Sequence, residues 1–249
     1  MKAMILAAGL GTRLHPLTKD RPKALVEVDG HTLLEITLQR LRNFGIREVI
    51  VNLHHFADMV VDYLKKNGNF GMRIEISREQ QLLDTGGGLK KAGWFFLQDR
   101  SRLEEPFLLH NVDVISTIDF ERMVEFHREH QAFATLAVQK RETSRHLLFD
   151  DQNQLCGRRA GRNRPPEMAR STLHVQALAF SGVHVISPSL LSMMTEQGAF
   201  SIIRTYLRLA GQGERILAFR ADEYYWRDLG KPENVVQAAN DMKEGVLRL

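Results

Sequence analysis

A single cysteine, Cys156, stands among 249 residues, so the chain can form no internal disulfide and no thiolate-built zinc site, which fits a reducing compartment. No stretch approaches the length of apolar run needed to span a bilayer. The N-terminus has no basic segment followed by a long apolar one; it enters a strand directly. Membrane insertion and export are therefore not expected, and a cytoplasmic location is. Aromatic residues make up only 8%, and none interleaves the arginine-rich stretch 157–171 as a surface for single-stranded nucleic acid would require. The net charge of +4 is a mild excess that suits small anionic substrates and does not by itself indicate nucleic acid. Internal repeats, low-complexity tracts and a convincing linker are also lacking. With 43% apolar and 26% charged residues, the chain is long enough to bury a sizeable core and reads as one domain over 1–249.

What is present is concentrated near the start. An apolar strand, Met4-Ile5-Leu6-Ala7-Ala8, runs into Gly9-Leu10-Gly11-Thr12-Arg13-Leu14, and Pro22-Lys23-Ala24-Leu25 follows. Glycines at 9 and 11 allow a tight turn and let backbone N–H groups approach an anion, because no Cβ stands in the way. Arg13 and Lys23 add positive charge, and the segment reads as a phosphate site. A dinucleotide fingerprint would need a third glycine where Leu14 stands, and a P-loop would need Gly-Lys-Ser or Gly-Lys-Thr after Gly11.

Strand-like and helix-like patterns alternate through the first half, the mark of βαβ units and a mainly parallel sheet. A strand is expected over about 2–7. Thr32-Leu-Leu-Glu35 is a capping box opening a helix with Leu34, Leu38 and Leu41 on one face and Gly45 placed to end it. Val49–Val51 reads as a buried strand, 56–66 as an amphipathic helix and 72–77 as a half-exposed strand. Thr85-Gly86-Gly87-Gly88 is expected to precede a helical stretch to about Leu97. Phe107-Leu108-Leu109 is an apolar strand ending at His110-Asn111-Val112-Asp113, and ligands in open α/β sheets bind beyond such strand ends. Residues 119–130 read as helix, 132–138 and 177–187 as strands, Gly157–Ser171 as an exposed loop, and Pro232–Leu247 as a helix.

Leu6 to Leu14, Pro16-Leu17-Thr18, Pro22–Leu25, Val28-Asp29-Gly30 and Leu33-Leu34-Glu35 together resemble the opening of the sugar-1-phosphate nucleotidyltransferases. The resemblance extends, more thinly, over nearly the whole chain and is weakest at 140–176. It implies a three-layer α/β/α, Rossmann-like fold with a mostly parallel mixed sheet, a nucleotide-binding half over about 1–115 and a sugar-binding half over about 116–249. It implies nucleotidyl transfer from a nucleoside triphosphate to a sugar 1-phosphate, with Mg2+, and the short length is that of the family's compact uridylyl- and guanylyltransferases, so UTP or GTP is expected. The oligomeric state is expected to be monomer or small homo-oligomer.

By the same resemblance Leu6, Ala7, Ala8, Gly9, Gly11, Thr12, Arg13 and Lys23 bind the nucleotide, with Lys23 on the α-phosphate and Arg13 on the outer phosphates. Leu83-Asp84-Thr85-Gly86-Gly87-Gly88 resembles the family's loop beside the base, which implies base contacts at Thr85, Gly86 and Gly87, and Glu79 upstream is a candidate for a base edge. Asp113, and Asp228 in Trp226-Arg227-Asp228-Leu229-Gly230, are the implied metal ligands and catalytic carboxylates. Asn111 and Gly182, the latter in Phe180-Ser181-Gly182, are implied on the sugar side. Val112 and Lys231 depart from the family's glycine and threonine, and a Glu-Lys-Pro segment common in relatives is missing. Arg158, Arg159, Arg162, Arg164 and Arg170 are candidates to replace its lysine. Transfer to another phosphorylated acceptor such as phosphocholine, and a catalytically silent nucleotide-sugar-binding protein, are the alternative readings.

Overall fold

The computed structural model describes residues 1–161 and 164–247. The N-terminal half alternates β1 (Lys2–Leu6), the short β2 (Glu27–Val28) and β3 (His31–Thr32), α1 (Leu33–Asn43), β4 (Glu48–Leu53), α2 (Ala57–Lys66), β5 (Arg73–Arg78), α3 (Asp84–Ala92), α4 (Trp94–Leu97) and β6 (Phe107–Asn111). There follow β7 (Val114–Ser116), α5 (Phe120–Glu129), β8 (Ala134–Gln139), β9 (Arg145–Phe149), β10 (Leu155–Ala160), β11 (Glu167–Met168) and β12 (Gln176–Ile186). The chain ends with α6 (Ser189–Ser192), α7 (Ile202–Gly211), β13 (Ile216–Arg220), β14 (Trp226–Asp228) and α8 (Pro232–Lys243).

One mixed sheet runs through both halves, in the order β11-β10-β9-β12-β6-β1-β4-β5, with β8 also against β12 and β13 outside β8. Strands β5, β4, β1 and β6 are mutually parallel, and β4 is buried from Val49 to Leu53 because helices cover both of its faces. On one side the core is built from α1, α2, α5 and α8, with Leu38, Val60, Met123 and Val235; on the other from α3, α4, α6 and α7, with Leu89, Phe95, Leu190 and Tyr206. Thr32 Oγ1 accepts from Glu35 N at 3.1 Å to start α1, whereas the Glu35 carboxylate turns to Tyr63 Oη, so half of the capping box forms.

Strand β12 changes neighbours along its length. Residues 176–179 lie against β9 and residues 183–186 against β6, while β8 follows the other edge. The break falls at Ser181-Gly182, where Gly182 takes a φ of +74. A Cβ there would meet Asn111 Nδ2 and Val114 Cγ2 at 2.9 Å.

Three boundaries differ from the sequence reading. Residues 85–88 lie inside α3 and are no loop. Part of 157–171 is sheet: residues 157–160 continue β10 from buried Leu155 and Cys156, β10 pairs with β9, and Gly157 sits opposite Met168 of β11. The last helix stops at Lys243, where Gly245 turns the chain with a φ of +72.

Candidate active site

Parallel pairing sets Leu6 at the end of β1 between Asn52 of β4 and Asn111 of β6, so the glycine turn and the acidic turn begin side by side at the carboxyl edge of the sheet. The Leu6 carbonyl accepts from Val112 N at 3.1 Å, and Ala7 N donates to Asn52 Oδ1 at 2.8 Å. These bonds spend backbone groups of Leu6 and Ala7 on holding the turn; Ala7 and Ala8 are buried, and Gly9, Thr12 and Arg13 face solvent. Gly11 takes a φ of +66, and its carbonyl accepts from Leu14 N and Thr18 Oγ1, each at 2.8 Å. The Thr12–Leu14 turn then buries Leu14 and leaves Arg13 outward.

Lys23 stands on a second short turn, Lys23–Leu25, pinned because Ala24 and Leu25 enter the core. Its ammonium pairs with Asp113 Oδ2, and both side chains are largely covered. Asp228 reaches the same place from the far end of the chain. β14 pairs with β7 so that Asp228 faces Val114, and Leu229 N donates to the Asp113 carbonyl at 2.7 Å. Asp228 Oδ1 accepts from Gly230 N at 2.6 Å. A Cβ on Gly230 would fall 2.6 Å from both Asp228 Oδ1 and Arg13 Nη2, so glycine is what lets the arginine come alongside this carboxylate. The fold thus brings Arg13, Lys23, Asp113 and Asp228 together.

The two departures from the family pattern point away from this cluster. Val112 is 2% exposed and packs into the core. Lys231 faces solvent at the start of α8, with Nζ 3.7 Å from Glu233.

Asp228 also borders a cavity of about 740 Å³ lined by Asn111, Gly182, Phe180, Trp226 and Arg141, with Thr85 at its edge. Arg145, Arg158, Arg159 and Arg164 supply the rest of a cationic wall, with His146 beside them. Arg158 is matched by Glu167, Nε to Oε2 at 2.7 Å. Arg170 turns to Asp150 at 3.4 Å, away from this wall, and Arg162 lies outside the described residues.

Other residues expected beside the base are engaged within the protein. Glu79 is 5% exposed, and its carboxylate accepts from Asn52 Nδ2 at 2.7 Å and Leu83 N at 2.9 Å, so it braces Asn52 behind the phosphate turn in place of presenting itself to a base. Gly86 N and Gly87 N donate to the Phe200 carbonyl at 2.8 and 3.2 Å, so these two N–H groups are engaged within the protein. These glycines are close-packing residues: a Cβ on Gly86 would lie 2.3 Å from the Phe200 ring. Thr85 Oγ1 accepts from Ile202 N at 3.0 Å and so caps α7.

Sequence reasoning passed over Asn52, Thr18 and Arg141. An asparagine at the end of an otherwise apolar buried strand was a signal for Asn52. Arg141 had none, being one basic residue in a polar stretch after β8. It is held by Nη2 donating to the Phe180 carbonyl at 2.6 Å and by stacking of its guanidinium 3.5 Å over Trp226, whose Nε1 donates to the Ser181 carbonyl at 2.7 Å. Burial pulls the Arg141 pKa below its usual range, and the charge of Asp228 pulls it back up.

A glycine turn, paired carboxylates and a cationic cavity at the carboxyl edge of a parallel sheet define an enzyme that handles phosphorylated substrates. The sequence profile of the nucleotidyl transferase family matches residues 2–147, and the chain belongs to that family. Its class is that of the sugar-1-phosphate nucleotidyltransferases. An N-acetylmuramate alpha-1-phosphate uridylyltransferase of Caulobacter vibrioides is 33% identical over 252 residues, spanning 97% of each chain. A mannose-1-phosphate guanyltransferase of Yarrowia lipolytica is 28% identical over 236 residues, 94% of this chain and 62% of that protein. Among solved structures, HddC from Yersinia pseudotuberculosis complexed with GMP-PN superposes with a TM-score of 0.72 at 22% identity over 97% of this chain and 99% of that one, a likeness of fold. No helix among the described residues is long and apolar enough to cross a membrane.

Proposed function

We propose that the protein transfers a nucleotidyl group from UTP or GTP to a sugar 1-phosphate, forming a nucleotide sugar and pyrophosphate. The supporting observation is the meeting of Asp113 and Asp228 between the Lys23 and Arg13 side and the cavity. The relative aligned over 97% of its length is an N-acetylmuramate alpha-1-phosphate uridylyltransferase, which puts UTP and an N-acetylmuramate-type sugar phosphate first among the pairs to try.

The attacking oxygen belongs to a phosphate and is already anionic near neutral pH, so the reaction needs no general base; it needs alignment and relief of charge. Lys23 acts as a point charge on the α-phosphate, and Arg13, exposed beside Asp228, can fork two oxygens of the outer phosphates. Lys23 must leave Asp113 at least in part as the triphosphate arrives, since one ammonium now neutralises that carboxylate.

The donor set fits Mg2+. Lys23 and Gly230 N occupy one oxygen of each carboxylate, leaving hard oxygen donors on Asp113 and Asp228 for a cation that keeps several waters. Among the described residues no group of three or more His, Cys, Asp or Glu is arranged to hold a metal, so this site would be completed by substrate phosphate. The ion, when bound, supplies charge neutralisation at the phosphoryl oxygens.

The test is pyrophosphate release over a matrix of nucleoside triphosphates against sugar 1-phosphates and phosphocholine, with Mg2+ and with chelator. One productive, chelator-sensitive pair with a sugar phosphate supports the reading, and a pair with phosphocholine alone changes the acceptor. Silence throughout, with nucleotide sugar still raising the melting temperature, would replace the enzyme by a binding protein.

A further inference from the structure

Arg141 is in no motif, and hydrogen bonding within the protein accounts for only part of its guanidinium. Its guanidinium is locked in plane by Trp226 on one face and by the Phe180 carbonyl at Nη2. Its Nε is buried with no hydrogen-bond partner among the described residues. A buried donor left unpaired is costly, and a fold that keeps one beside a cavity holds it ready for a ligand. The other cations of the cavity are less suited: Arg158 is paired with Glu167, and Arg145, Arg159 and Arg164 are exposed, with rotamer freedom to lose on binding.

We propose that Arg141 binds the phosphate of the acceptor, on the opposite side of Asp228 from the triphosphate-binding Arg13 and Lys23. This rests on the nucleotidyl-transfer reading and deepens it. A guanidinium already fixed in plane loses little freedom on binding, and its fork matches two oxygens of a phosphate monoester. Arg13 lies beside Asp228, and Arg141 feels the charge of the same carboxylate from the cavity side. Two phosphates recruited to opposite flanks of one carboxylate are brought into position for displacement of one by the other.

The experiment compares wild type with Arg141→Gln and Arg141→Lys in steady-state kinetics, varying acceptor and triphosphate separately, alongside calorimetric titration with sugar 1-phosphate and thermal melts. The expected result is an acceptor KM raised about tenfold or more in Arg141→Gln, with the triphosphate KM changed less than about twofold and partial recovery in Arg141→Lys. An unchanged acceptor KM, or both KM values rising together with a lowered Tm, would overturn it and leave Arg141 a prop for the Phe180 turn. If wild type turns over no pair, the reaction reading has failed. The titration then decides alone: sugar phosphate binding that Arg141→Gln abolishes upholds the phosphate site, and binding that it leaves intact removes it.

Discussion

The two walls of the site are made of different material. The wall at the ends of β1, β4 and β6 is largely main chain, fixed by hydrogen bonds from Ala7 N to Asn52 Oδ1, Val112 N to the Leu6 carbonyl and Leu14 N to the Gly11 carbonyl. The cavity wall is side chain: Arg141 beyond β8, Arg158 and Arg159 on β10 and Trp226 on β14, all carried by the second half of the molecule. A main-chain cradle accepts any triphosphate and tolerates little change in its residues. A wall of side chains can be respecified for another acceptor without moving the backbone. The contrast fits an enzyme that keeps one reaction and varies its sugar.

The largest expected effect comes from the seam between the walls. Asp113→Ala and Asp228→Ala should each lower turnover at least ~100-fold, the scale of losing one electrostatic contact to the transition state. Both should fold, but Asp113→Ala should melt lower than Asp228→Ala, because it leaves the Lys23 ammonium covered and unpaired. Near-normal rates in either variant would remove that carboxylate from the chemistry, and a reversed order of Tm would mean that the Lys23 pair is not what these aspartates stabilise.

The same contrast explains what was legible in the sequence. A cradle of backbone is written locally, so the strand, Gly9, Gly11, Arg13 and Lys23 could be found as one run of letters, and the parallel sheet followed from alternation. Trp226 and Arg141 meet only because β12 breaks at Gly182 and β14 returns to β7, and nothing in either segment announces the other. Gly86 to Gly88 misled for a physical reason. Three glycines oppose helix formation, yet packing against Phe200, Gly198 and Asn52 requires residues without a Cβ, and the tertiary contact overrides the propensity. The arginine-rich stretch misled because its composition is that of a loop, whereas buried Leu155 and Cys156 anchor it to the sheet.

Next in size is Gly86→Ala. Alanine gains helix propensity of up to ~1 kcal/mol over glycine, but its Cβ would sit 2.3 Å from the Phe200 ring and 2.9 Å from the Phe200 carbonyl oxygen, and part of that obstacle is backbone. Overpacking of this kind costs roughly 1–3 kcal/mol, so Tm should fall by several degrees. An unchanged or raised Tm would show that α3 and α7 separate easily.

Acid should act unevenly across the sheet. The buried histidines among the described residues are His110 on β6, His127 against β8 and His184 on β12, and none lies on β1, β4 or β5. Burial lowers the pKa of His127 to about 4 and of His184 to about 3, with the charge of Arg128 adding to the first and that of His110 to the second. Both lie below the ordinary value near 6.5, so the unfolded chain takes up protons first. Stability is full above pH 6.5 and declines as pH falls toward about 4; at pH 5 each contributes a loss of about 2 kcal/mol. Hydrogen exchange at pH 5 should show β8 and β12 losing protection before β1 and β4. Equal loss in β1 and β4 would locate the acid sensitivity elsewhere.

The smallest expected change in stability is also the sharpest test of the main-chain wall. Gly9 has an ordinary φ, and a Cβ built on it meets nothing within 4 Å, so Gly9→Ala should leave stability within about 0.5 kcal/mol of wild type. Gly11→Ala, at a φ of +66 and 2.9 Å from Thr18 Cγ2, should lower it clearly. If the open space at Gly9 is the approach route of the triphosphate, the methyl group blocks it, and the triphosphate KM rises while the acceptor KM and Tm stay put. That pattern is the mirror image of the one expected for Arg141→Gln, and the two variants together assign each substrate to its own wall. A Gly9→Ala enzyme with an unchanged triphosphate KM would instead confine the anion cradle to Gly11 and the residues after it, leaving Gly9 as the strand's exit and no more.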